Sequence, residues 1–250
     1  MSDYAYQNYE ELKRIEDSMF INTLQEIKEN ISDPFSPIPN RIISINLLRS
    51  MCKYHTTYFF NFFWGIRKDF IKNCLNYEQN TRLQIISFYF LNEILQNIYF
   101  EIPYGSTSQF IYWLYENIFI FLKKNNNNIL KEKAEKLIKQ MVENMPCEAM
   151  VISLIKSLKE KDENINNFIL QCIGEYFTSY ITLGLDFNYI IENLEIEKIF
   201  NNRDYIDYYN KIKKVFSSFK DILESNGSDI NQIIDNLNDK NKSIYLDLIK

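Results

Sequence analysis

An all-α fold built of stacked helix pairs is predicted by three observations. First, the 250 residues hold only 5 Gly and 5 Pro against 18 Tyr and 19 Phe. That is about a third of the usual turn punctuation, and sandwiches and barrels spend Gly and Pro at every corner. Second, apolar residues recur at i, i+3, i+4 and i+7 in nearly every segment, the signature of an amphipathic helix. Third, the breaks between these segments are regularly spaced along the chain.

In order, the first stripe is Leu12, Ile15, Met19, Leu24 and Ile27, which predicts one helix ending at the break SDPFSPIPN (32–40). That break holds three of the five prolines. A second helix is expected over about Arg41–Tyr54, and a third, aromatic one over about Thr57–Leu75. TRLQIISFYFLNEILQNIYF (81–100) supplies the next. Ser106 and Gln109 read as a capping box for a helix reaching Leu122. After a polar loop at Lys123–Asn128 comes KEKAEKLIKQMVEN, and Pro146 suits the first turn of the following helix. Further helices are expected at about Ile165–Ile181, 187–200, 203–224 and 229–249.

The helices thus pair, with loops within pairs centred near residues 36, 78, 126, 162 and 202. Two helices about every 40 residues match HEAT or armadillo arrays, in which each pair buries its inner face on its neighbours. Asn40-Arg41, Asn80-Thr81-Arg82 and Asn202-Arg203 open the second helices alike, with a capping-type residue before an Arg. The expectation is one continuous α-solenoid of about five HEAT-like pairs, with a core array over 9–224 and a capping segment over 225–250; a globular helical bundle is the alternative.

Candidate chemistry is sparse. The five glycines are isolated, so no glycine-rich phosphate loop can be written. His55 is the sole histidine, which removes the usual zinc patterns and an obvious triad base, and its place at a helix end marks it as packed or capping. Cys52, Cys74, Cys147 and Cys172 are far apart in apolar stretches and read as reduced, buried thiols. KDENIN (161–166) and the segment from Asp239 lack the Gly and terminal Glu of a calcium loop and read as caps or solvated loops. Glu93 and Glu116 each sit alone on a helix and are assigned to solvated faces. YFFNFFW (58–64) is assigned to the core. No cofactor, metal or catalytic set is expected, and an enzyme is disfavoured.

A net charge of −5 speaks against a general nucleic-acid binder. YFFNFFWGI stops at Arg67, well short of the ~20 residues of a membrane span, and the N-terminus has no apolar signal core. A soluble cytoplasmic protein is therefore expected. In a solenoid the within-pair loops share one rim, and the cations there are Arg41, Arg82, Lys123, Lys124, Lys131, Lys161 and Arg203. Such a row suits an acidic protein surface, although Glu78, Asp162 and Asp204 dilute it.

ILKEKAEKLIKQMVENMPCEAMVISLI (129–155) resembles the fourth-repeat region of TOG domains in the CLASP and ciliary crescerin branches. TRLQIISFYFLNEIL (81–95) resembles the helix after that family's second loop, and FSPIPNRIISINLLRSMCKYH (35–55) resembles the second helix of its first repeat. The resemblance spans roughly 9–224. It implies a flat HEAT paddle that binds tubulin or microtubules through its within-pair loops, in the cytoskeleton or a cilium. Carried over by position, it implies contacts from Phe35 and Ile38 in the first loop and Arg82 after the second. Lys123, Lys124 and Lys131 follow at the third, Lys161 at the fourth and Arg203 at the fifth. Where the family presents a Trp three residues before an Arg, this chain has Ile38 before Arg41. The alternative is a HEAT or armadillo scaffold that takes a peptide or protein partner on its concave face.

Overall fold

The computed structural model describes residues 7–98, 104–144, 148–157, 163–179, 187–193, 206–225, 227 and 230–250. Its described regular structure is entirely helical. The helices are α1 (Phe20–Ser32), α2 (Ile38–Tyr54), α3 (Thr56–Phe70, continued by a π turn over Ile71–Leu75), α4 (Thr81–Ile98), α5 (Tyr104–Lys124) and α6 (Asn128–Asn144). Then come α7 (Glu148–Ser157), α8 (Glu163–Ser179), α9 (Phe187–Asn193), α10 (Ile206–Ser225), α11 (Ile230–Asp235) and α12 (Asp239–Leu248). They gather into two compact units, Met1–Ile138 and Lys139–Lys250, whose boundary falls inside α6.

Within the first unit, α1 packs on α2 and α3, and α2 packs on α3 and α4. Aromatic rings join α3 to α5, with Trp64 5.9 Å from Trp113 and Phe60 5.7 Å from Phe110. Lys133 of α6 lies 4.4 Å over the Tyr89 ring of α4. Within the second unit α7 packs on α8 and α9, and α8 on α10. Inside each unit helices thus pack on a sequence neighbour or on the helix two further on, which is consistent with an α-solenoid.

The first unit is centred on the aromatic helix, as the sequence predicts, although Tyr58 at its start is exposed. Phe59, Phe63 and Phe70 are fully buried, and Phe90 of α4 enters edge-on at 5.4 Å from Phe63 and 5.3 Å from Phe70. Such edge-to-face pairs add about 0.5–1.5 kcal/mol each beyond the area they bury. Cys52, Cys74 and Cys172 are buried, and Cys147 lies outside the described residues.

Several boundaries differ from expectation, each for a local reason. The first stripe is not one helix: α1 starts at Phe20, and Leu12 and Ile15 are buried from non-helical backbone while Met19 is exposed. α2 begins at Ile38, with Pro37 in the N-cap position, so Asn40 lies inside the helix. Asn80 does cap α4, accepting from Leu83 N at 2.8 Å. α5 starts at Tyr104, ahead of the predicted cap at Ser106. Asn127, inside the Asn run, caps α6 by accepting from Ile129 N at 3.0 Å. The last predicted helix is two, because Asn238 caps α12 by accepting from Asn241 N. Asn241 is itself buried and donates to Asn188 Oδ1 at 3.0 Å, so the calcium-like segment is a cap. Pro146 lies outside the described residues.

Burial pushes the Cys74 thiol from an ordinary 9.0 up to about 12, with Arg41 pulling weakly the other way. Burial likewise pushes the Tyr245 hydroxyl from 10.0 up to about 12. Tyr209 is raised by burial and by its hydrogen bond to Asp247. Each folded value lies above the unfolded one, so the folded chain holds more protons at alkaline pH. That stability is complete below about pH 9 and is lost as pH rises towards about 12. Denaturation midpoints measured at pH 8 and pH 11 are expected to be clearly lower at pH 11, and an unchanged midpoint would contradict the burial of these groups.

Candidate protein-interaction rim

The α1–α2 loop, 33–37, contains no glycine, and every part of it is tied down. Asp33 closes α1 with its N–H on Glu29 O, and its carboxylate accepts from Phe35 N at 2.9 Å. Ser36 is buried, with its N–H on Asp33 O at 3.1 Å. Pro37 O receives Arg41 N at 3.2 Å as α2 begins. Between these fixed points Phe35 stands 90% exposed, and Ile38 is half-buried at the start of α2.

Arg41 is the residue that holds the loop, and this corrects its assignment to the cationic rim. It is 1% exposed, so it offers no charge to a partner. Its guanidinium donates to Pro34 O at 2.6 Å, Asp33 O at 3.3 Å and Asn73 O at 2.6 Å. These carbonyls lie at the C-terminal ends of α1 and of the α3 π turn, where helix dipoles favour a cation. A planar, weakly hydrated guanidinium meets several carbonyls at once, which an ammonium does not. Tyr77 of the next loop covers the group at 4.7 Å. Asn73 completes the cage, donating to Ile31 O at 2.8 Å and Ser32 O at 3.2 Å. The first and second loops are thus stapled together through Arg41.

Of the other predicted rim cations, Arg82 is exposed at the start of α4, and Lys123 and Lys124 are exposed in the last turn of α5. Lys131 is half-buried in the first turn of α6. All flank loops that join an odd-numbered helix to the next even one. Lys161 and Arg203 lie outside the described residues.

Sequence reasoning missed Arg49, Asn73 and Tyr77. It also placed Glu93 on a solvated face. Instead, Glu93 forms a two-pronged pair with the fully buried Arg49, at 2.6 and 2.7 Å, and links α4 to α2. One signal was available: Arg41, Ile45, Leu48, Arg49 and Cys52 share one face of α2 by spacing, so both arginines sit on the apolar stripe. Glu116 is exposed and accepts from Tyr112 Oη at 2.6 Å. His55 is the single residue between α2 and α3, packed 4.9 Å from the Phe20 ring.

In the second unit a groove of about 360 Å³ runs between α8 and α10, with Asn167, Gln171, Lys211, Lys214 and Ser218 over an apolar floor. Among the described residues its lining contains no carboxylate, thiol or imidazole. Among the described residues no group of His, Cys, Asp and Glu is arranged to hold a metal ion, and no helix is long and apolar enough to cross a membrane.

The chain matches no protein-family model and no curated protein.

Proposed function

We propose that this is a non-enzymatic interaction protein whose first unit docks on a partner protein through its within-pair loop rim. Tubulin or the microtubule is the partner that the likeness to TOG domains implies, with a cytoskeletal or ciliary setting. The observation that carries the reading is Phe35, 90% exposed on a loop held by a buried arginine. An aromatic anchor already fixed in its binding geometry costs little entropy to dock, and such anchors dominate interface energetics. Arg82, Lys123 and Lys124 would add on-rate and orientation towards an acidic surface.

The test is co-sedimentation with microtubules and gel filtration with free tubulin. Phe35→Ala is expected to weaken binding about 30-fold, the scale of a 2 kcal/mol hot spot. Lys123→Glu/Lys124→Glu is expected to weaken it less and to make it less salt-dependent. Equal binding by wild type and both variants would sink the rim reading.

A further inference from the structure

The N-terminal segment ahead of α1 is not part of the helical array, yet it is held along it. Residues 7–13 are non-helical apart from one 3₁₀ turn over Tyr9–Glu11, and they run along the C-terminal half of α2. Four α2 side chains take their main-chain carbonyls. Arg49 Nη1 donates to Gln7 O at 2.7 Å, and Lys53 Nζ to Tyr9 O at 2.7 Å. Tyr54 Oη donates to Leu12 O at 2.9 Å, and Ser50 Oγ to Lys13 O. Positions 49, 50, 53 and 54 form a single stripe of the helix. Below the carbonyls, Leu12 and Ile15 are buried, whereas Gln7, Asn8, Glu10, Glu11, Lys13 and Arg14 are exposed. Lys53 also lies 4.5 Å over the Tyr9 ring and 3.9 Å from the Glu10 carboxylate.

A helix face that reads the backbone of a non-helical chain through side-chain donors is a peptide-binding surface. We infer that the Arg49-Ser50-Lys53-Tyr54 stripe of α2 is a site for a peptide of Tyr-Glu-Glu-Leu chemistry, and that residues 7–13 are its resident ligand in cis. Carbonyl donation fixes the peptide's path whatever its sequence. Selectivity comes from the aromatic ring and acid beside Lys53 and from the apolar side chains at positions 12 and 15. The site is distinct from the Phe35 rim: Ile38 and Tyr54 stand about 24 Å apart along α2. The segment is a candidate for exchange because no helical or sheet ladder of the array includes it. It is held by side chains and two apolar anchors, the kind of element that opens well below the global unfolding free energy.

The test uses the full chain and a fluorescently labelled peptide, QNYEELKRIED, copied from residues 7–17. Leu12→Asp/Ile15→Asp removes the anchors from the segment and leaves the α2 stripe intact. This variant is expected to bind the peptide with micromolar affinity, at least about tenfold tighter than wild type. Adding Ser50→Ala/Lys53→Ala is expected to abolish that gain. A folded Leu12→Asp/Ile15→Asp chain that binds no better than wild type overturns the proposal. Concentration-dependent dimerisation without peptide binding also overturns it, because the occupant would then be a second copy. Should that variant not fold, a protease site placed in the exposed turn at Asp17–Met19 serves instead. After cleavage of the folded chain, exchange of the released segment for the labelled peptide is expected. Unfolding on cleavage, or a segment that never exchanges, shows a purely structural arm and overturns the site.

Discussion

Glu93→Gln is expected to destabilise the first unit by about 3–5 kcal/mol, because it leaves the Arg49 guanidinium buried without its counter-charge. Arg49 is fully buried, and its pair with Glu93 is two-pronged at 2.6 and 2.7 Å. Its Nη1 donates to Asn46 Oδ1 at 3.0 Å and to Gln7 O at 2.7 Å. Arg49→Ala should cost a similar amount by stranding the carboxylate and leaving a void. Replacing both partners, as Arg49→Met/Glu93→Leu, should recover most of the loss, because no ion is then desolvated. Both tryptophans, Trp64 and Trp113, lie in this unit, so urea denaturation followed by indole fluorescence reads it selectively. Single variants as stable as wild type would show that the pair is not buried in solution.

Arg41→Ala is the second large effect. It removes the donor to three carbonyls, and hydrogen bonds from a charged group are each worth about 1.5–3 kcal/mol, so a loss of about 3 kcal/mol or more is expected. Arg41→Lys should recover only part of it, since one ammonium does not span Pro34 O, Asp33 O and Asn73 O. The two variants should also separate stability from docking. Under conditions where Arg41→Lys remains folded, amide exchange at Ser36 and Arg41 should quicken. Partner binding through Phe35 should then weaken although Phe35 itself is untouched. Unchanged exchange in the loop would mean that Asp33 and the prolines suffice to hold it.

How far each of these features is legible in the sequence depends on the reach of its cause. The positions of α2, α3, α4 and α6 follow from apolar spacing, and Asn80 caps where a capping residue precedes the stripe, because these are relations between residues a few positions apart. The N-terminal stripe shows the limit. Leu12, Ile15 and Met19 have helical spacing, yet donors from α2, about 40 residues on, take the backbone carbonyls of 7–13. Those donors hold residues 7–13 outside a helix, and α1 begins only at Phe20.

By itself, the sequence determined the helical class and where most helices break, since periodicity and proline act locally. Phe35 was named only through the resemblance of its loop to TOG domains; the prolines around it marked no more than a stiff break between helices. Only the tertiary structure showed that Arg41 is buried and turns its charge inward. A buried Arg is stable only inside a cage of partners, and the cages of Arg41 and Arg49 are assembled from carbonyls and a carboxylate brought together across α1, α3 and α4. The same charge that reads as a solvated contact in one dimension therefore holds the loop from within in three.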